Sequence, residues 1–282
     1  MTIVFNESSI PGRHRVSYRI LDATRGFPER EVEVLATPDE IEHFVREGYL
    51  VRRALLPESE LVRLRAAFDE VFEHDQHLER GGGTFTGTFA RHMADKHPAF
   101  LELITFAPVL SVARAILGPS VQSRGVTGRL CRAGQASEEV EWHFHQRVIP
   151  EPLPPLFMRP HTIDMLLYLD DACGKNGAPC VLPRSHDSVH AICPSGSVDD
   201  LAGQVVIDAE AGTCVLAHGA LWHRALPRGE GCDTRRVLIH SYAACWMKPA
   251  IYGTKPHNGL TRALGEHADD ETRELLGLQG YM

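Results

Sequence analysis

The segment EVEWHFHQRV at 139–148 sets two histidines, His143 and His145, on either side of a single residue. In an extended chain alternate side chains share a face, so both imidazoles are presented together, and Trp142 and Phe144 fall on the opposite side. Further along, AHGALWHRALP carries His218 and His223, and the strand-like TRRVLIHSY then brings Arg235. Two close ligands and a third from a distant strand form the layout of a facial metal triad, which keeps coordination positions open for substrate and oxygen. An arginine beside such a centre suits a dicarboxylate, because its planar fork holds a carboxylate through two parallel hydrogen bonds. His218 stands five residues before His223 and faces the other way on a strand, so it is expected beside the site or at the surface. The competing reading of His143 and His145 is a pair of satisfied core histidines. The aromatic residues on the alternate face argue instead for imidazoles pointing into a barrel mouth.

The elements that must position these groups are legible in outline. TPDEIEHFVREG opens with Thr37 as N-cap, Pro38 in the first turn and Glu40 completing a capping box, and Gly48 ends the helix. PESELVRLRAAFDEVFEHD spaces Leu61, Leu64, Phe68, Val71 and Phe72 along one helical face. HPAFLELITFAPVLSVARAILG reads as two short helices parted near Pro108. After Gly118 the texture changes to short β-rich runs separated by turn residues, the pattern of a sandwich or barrel. The chain is therefore expected to be one domain over 1–282: a helical layer at 37–118, a β core at 119–245 and a C-terminal extension at 246–282. That extension should add a helix around DDETRELLGL that closes the substrate pocket or a subunit contact. A Pro-rich loop at 150–160 separates two strands, and its Leu156, Phe157 and Met158 are candidates for a substrate wall.

Bulk composition narrows the function classes. The chain has 282 residues, 43% hydrophobic and 23% charged, with a formal charge of −8. A nucleic-acid partner is not suggested. Seven cysteines without a C-x-x-C pair argue against a zinc ribbon or a disulfide framework. With no signal-like N-terminus and no uninterrupted apolar run of membrane-spanning length, the expectation is a cytoplasmic protein without a membrane partner.

Six segments then carry a family resemblance: EGYLVRRALL, PESELVRLRAAFDEVF, RHMADKHPAFLELITFAPVLSVARAILGP, YLDDACGKNGAPCVLPRSHD, GTCVLAHGALWHRALP and TRRVLIHSY. In this order, over roughly residues 38–245, they resemble the phytanoyl-CoA dioxygenase-like branch of the iron(II)/2-oxoglutarate-dependent oxygenases. Arg184 replaces the glycine usual in the fourth segment. The resemblance implies a mainly β fold with flanking helices, whose core is a double-stranded β-helix (a cupin-like jelly roll) with the metal at one mouth. It implies Fe(II) and 2-oxoglutarate as cofactors, and O2 and a small, partly apolar molecule as reactants. It assigns His143 as first metal ligand, His223 as distal ligand and Arg235 as the anchor for the far carboxylate of 2-oxoglutarate. Arg236 is the one-residue alternative, but the two face opposite ways on a strand. Arg129, Arg132 and Gln135, just before the metal strand, are further candidates for cosubstrate binding.

One position departs from the family motif, H-x-D. His145 stands where the aspartate belongs, which leaves the site one charge more positive. At an effective dielectric of about 20, a charge a few ångströms away changes the local energy by several kcal/mol. The leading expectation is an oxygenase whose metal sits on His143, His145 and His223. The alternatives are a three-histidine dioxygenase or isomerase independent of 2-oxoglutarate, and a non-catalytic binding protein that has lost iron. Asp164, Asp170 and Asp171 are candidates for a substitute carboxylate, the latter two better suited to capping the loop that follows them.

Overall fold

The structure is a computed structural model, described here over residues 2–20, 26–82, 87–135, 140–145, 160–187, 196–248 and 265–278. An N-terminal hairpin, β1 (His14–Arg19) and β2 (Glu29–Val34), precedes α1 (Pro38–Glu47), β3 (Tyr49–Arg52) and α2 (Glu58–His74). After β4 (Glu79–Arg80) and β5 (Thr88–Ala90) come α3 (Pro98–Leu101) and α4 (Ala107–Leu117), joined by a 3-10 turn. The rest is mostly strand: β6 (Val121–Cys131), β7 (Val140–His143), β8 (Thr162–Tyr168), β9 (Pro179–Val181), β10 (Val205–Val206), β11 (Cys214–His218), β12 (His223–Ala225) and β13 (Arg235–Ala244), closed by α5 (Asp270–Leu275).

Two antiparallel sheets form the core. The larger has the order β3-β11-β8-β13-β6-β5-β4 and the smaller β10-β9-β12-β7. Period-two alternation gives the larger sheet two apolar faces. Met165, Leu167, Leu216, Leu238 and Tyr242 join Phe44, Leu64, Phe68 and the α4 residues in one cluster under the helices. Tyr168, Val215, Ala217 and Val237 turn the other way and pack with Val181, Ile207 and Leu221 of the opposing side. This is the jelly roll with a helical layer that the sequence leads one to expect, and the site residues lie on its inner faces.

Local chemistry fixes the layer. Thr37 accepts from the Glu40 amide while Glu40 accepts from the Thr37 amide, so the capping box forms. The other Glu40 oxygen pairs with Arg52 of β3, whose side chain is also bonded to the Leu35 carbonyl. One carboxylate thus ties the start of α1 to the sheet edge. Gly128 lets α2 settle on β6, since a Cβ there would lie 2.9 Å from Phe68 and 3.0 Å from Phe72. The stretch Pro98–Leu117, of mean hydropathy 1.8, is long and apolar enough to cross a membrane by length and composition, yet 67% of it is buried inside the fold.

The C-terminal helix and the Pro-rich loop fare differently. The helix near the C-terminus forms, but it covers the helical layer and not the inner cavity: Glu274 pairs with Arg30 at 2.6 Å and Arg114 at 3.1 Å, and Leu275 and Leu276 enter the helix-side core. The Pro-rich stretch with Leu156, Phe157 and Met158 lies outside the described residues. Arg184, meanwhile, has φ +66°, the left-handed region that glycine adopts without strain. A left-handed L-residue costs roughly 1–2 kcal/mol, and glycine's greater unfolded freedom returns part of that. Arg184→Gly should therefore raise the melting temperature by about 1–2 °C. An unchanged or lower value in thermal denaturation would contradict this account of the strain.

Candidate functional site

β7 and β12 are paired so that His143 and His223 stand directly opposite one another. His145 lies two residues on, held by its own amide to the Gly219 carbonyl at 2.9 Å. One ring nitrogen from each of His143, His145 and His223 falls within 4.8 Å of the others. The ring centroids are 4.3 Å apart for His143 and His223, 4.8 Å for His145 and His223, and 5.5 Å for His143 and His145. Trp142 and Phe144 point away, as the alternation requires: the Trp142 indole donates to the Asp199 carbonyl at 2.8 Å, and Phe144 packs edge-on against Trp222.

Each imidazole is oriented by an acceptor at Nδ1. His143 Nδ1 is 2.9 Å from the Glu141 carbonyl, His223 Nδ1 is 2.9 Å from the Leu221 carbonyl, and His145 Nδ1 is 2.9 Å from Asp164 Oδ2. An acceptor at Nδ1 selects the tautomer whose lone pair is on Nε2, the form that binds a metal. Burial, followed by the electrostatic influence of the neighbouring His143 and His145, holds the His223 pKa well below the usual histidine range against the opposing pull of the Leu221 carbonyl. Burial pushes the Asp164 carboxyl up, but the neighbouring His145, the Ser241 hydroxyl and His218 more than reverse this, so its pKa is lowered. Asp164 is 1% exposed. It lies outside the imidazole trio and is not a ligand in place of His145.

The three rings line a narrow cavity of about 70 Å³ between the two sheets. Leu166, Val181, Val215, Val237 and Ile239 make much of its wall apolar. Arg129, Arg224 and Arg235 also line it, and among the described residues no carboxylate does. Arg235 is 2% exposed; it donates to the Asn176 carbonyl at 3.0 Å and to the Gly177 carbonyl, while its Nε is buried without a partner among the described residues. Gly177 is required here on two counts: its φ is +77°, and a Cβ would collide with the Arg235 guanidinium. Burial, then the charges of Arg235 and Arg228 opposing Cys131, push the Arg129 guanidinium down to about 10. Burial raises the Tyr168 hydroxyl to about 12, so it stays protonated and can donate.

Of the other candidates, Arg236 turns outward and pairs with Asp69 at 2.8 Å and Asp170 at 2.9 Å. Asp170 is thus a clamp for Arg236 and Arg65, and Asp171 accepts from the Ala211 amide. Arg132 and Gln135 are not brought to the cavity. Both side chains are exposed on the turn after β6, where their carbonyls accept from Arg228. The cavity-facing arginine of that region is Arg129, one strand period before Cys131. His218 is not at the surface: it is 2% exposed, its Nδ1 accepts from the Ala220 amide at 3.0 Å, and its ring lies 4.6 Å from that of His186. His186 reaches the Val45 carbonyl at the end of α1.

Comparison with known proteins adds ancestry to this geometry. Residues 44–237 match the family described as phytanoyl-CoA dioxygenase (PhyH). A curated relative, Dioxygenase af480 of Aspergillus fumigatus, is 24% identical over 184 residues, which span 64% of this chain but only 56% of that protein. Among solved structures, the non-heme alpha ketoglutarate dependent carbocyclase SnoK from nogalamycin biosynthesis superposes with a TM-score of 0.61 at 19% identity, covering 79% of this chain and 93% of that one. HygX from Streptomyces hygroscopicus, with nickel and 2-oxoglutarate bound, gives 0.59 at 15% identity, with 75% and 88% covered.

Proposed function

The chain belongs to the phytanoyl-CoA dioxygenase family, and on that premise we propose that it is an iron(II)- and 2-oxoglutarate-dependent oxygenase acting on a small, partly apolar molecule. The observation that carries this reading is one cavity holding three imidazoles with engaged Nδ1 atoms, together with a buried arginine whose Nε lacks a partner among the described residues. His143, His145 and His223 would hold the iron. Arg235, helped by Arg129, would take the far carboxylate of 2-oxoglutarate, because a planar guanidinium holds a carboxylate through two parallel hydrogen bonds. Tyr168 would donate its hydroxyl hydrogen to the same ligand.

When bound, iron and 2-oxoglutarate supply the oxygen activation that oxidises a C–H bond. The protein's own contribution is placement and exclusion of water. The apolar wall of Leu166, Val181 and Val215 keeps the centre dry, and the two sheets fix the ligands on rigid strands. The sequence between β7 and β8, with Leu156, Phe157 and Met158, is the proposed substrate wall; its apolar composition and its place next to the His143 strand support that role. Hydroxylation is the simplest outcome, and ring formation of the kind named for SnoK belongs to the same class. A cytoplasmic location is part of this reading, since Cys131, Cys173, Cys180, Cys214, Cys232 and Cys245 are free thiols, as a reducing compartment keeps them.

The all-imidazole ligand set favours a second reading, a three-histidine dioxygenase independent of 2-oxoglutarate. Arg235 weighs against it, because that enzyme has no need of a buried carboxylate anchor. Anaerobic addition of iron(II) followed by 2-oxoglutarate separates the two: uptake of both supports the proposal, and uptake of metal alone supports the second reading.

A further inference from the structure

The missing aspartate leaves a charge to be accounted for, and a carboxylate stands directly behind the residue that replaced it. Asp164 is on β8, with Ser241 of β13 and Ala217 of β11 beside it in register. In strand parity it shares the inward face with Leu166 and Tyr168, the side that holds the cavity. Ser241 donates its hydroxyl hydrogen to Oδ1. Oδ2 lies 2.9 Å from His145 Nδ1, at ion-pair distance, and accepts no hydrogen bond that meets strict geometry among the described residues. A fully buried carboxylate is costly unless polar partners satisfy it, and the His145 Nδ1–H is placed to do so beside the Ser241 hydroxyl.

We propose that Asp164 is a positioning residue that returns to the metal centre, through His145, the negative charge lost with the family's aspartate. The carboxylate fixes the His145 Nδ1–H tautomer, aims Nε2 at the centre and makes that imidazole a stronger donor. Carboxylate–histidine–metal relays of this kind act on many metal sites, and loss of the outer carboxylate typically weakens metal binding about 10–100-fold. His143 and His223 have main-chain carbonyls in the same role, whereas the oxygen behind His145 belongs to a carboxylate. The inference rests on the metal-site reading above and adds to it a partner specific to this chain's His145.

The test is a double-mutant cycle on the full chain, read by anaerobic cobalt(II) titration and its visible absorption. Asp164→Asn should weaken cobalt(II) binding by about 10–100-fold. In a His145→Asp background, where the carboxylate is back at the ligand position, Asp164→Asn should cost less than about twofold, because the coupling between the two sites is gone. Equal losses in both backgrounds, or none in either, overturn the proposal while leaving the metal site standing. His223→Ala marks the level of no specific uptake; a wild type that binds no better removes the metal site and the proposal together. A second measurement needs no variant. Nitrogen-15 correlation spectra of the metal-free protein should show His145 protonated at Nδ1, and an Nε2–H tautomer overturns the proposal even if Asp164→Asn fails to fold.

Discussion

His223→Ala should abolish specific iron(II) uptake, with affinity falling by more than about a hundredfold, while the protein stays folded. Loss of an outer partner of a metal ligand already costs about 10–100-fold, and His223 is a ligand in the proposed centre, so its removal exceeds that range. His223 is the best constrained of the three: it is buried, fixed by the Leu221 carbonyl, and directly across the strand pair from His143. Its side chain faces the cavity, not the helix-side core, so its truncation leaves that core intact. Metal content after anaerobic reconstitution, measured beside far-ultraviolet circular dichroism, checks both halves. A folded variant that retains iron would mean that the three rings are packing partners and not ligands.

The second large effect belongs to Arg235. Arg235→Ala should raise the dissociation constant of 2-oxoglutarate by about 30- to several-thousandfold with iron(II) affinity nearly unchanged, since truncating one partner of a buried charge pair costs about 2–5 kcal/mol. Arg235→Lys should recover only a small part, because an ammonium cannot reproduce the planar fork. Arg236 provides the internal control. It is the neighbour in sequence but faces Asp69 and Asp170 on the other side of the sheet, so Arg236→Ala should leave cosubstrate affinity within about twofold. Isothermal titration of the metal-loaded protein distinguishes these outcomes, and equal effects of the two alanine variants would contradict the assignment.

The residues that were readable in the sequence are those whose neighbours along the chain fix them. Thr37 and Glu40 are three apart and cap their own helix. His143 and His145 are parted from Trp142 and Phe144 by strand alternation, and the same parity separates Arg235 from Arg236. Where the partner is distant in sequence, the reading failed or stayed open. Arg132 and Gln135 look as basic and polar as Arg129, but the strand ends at Cys131, and only its last inward arginine reaches the cavity. His218 shows no local sign that it is buried beside His186. Asp164 left one usable signal, a carboxylate at an inward position of the otherwise apolar strand TIDMLLY. What it faces depends on β7, which joins the smaller sheet, so only the assembled fold shows that it stands behind His145. Arg184 stands where the family resemblance implies glycine, but its strain is a backbone angle, and only the structure supplies that.

The central claim is that these imidazoles and Arg235 form one iron and 2-oxoglutarate site. Anaerobic titration with iron(II), then with 2-oxoglutarate, tests it most directly, because chelation of the metal by the keto acid produces a metal-to-ligand charge-transfer band in the visible. The account predicts saturable iron(II) uptake with a stoichiometry of about one and then a band that grows with 2-oxoglutarate and is lost in His223→Ala. Failure to take up iron(II), or uptake with no band at saturating 2-oxoglutarate, would contradict it.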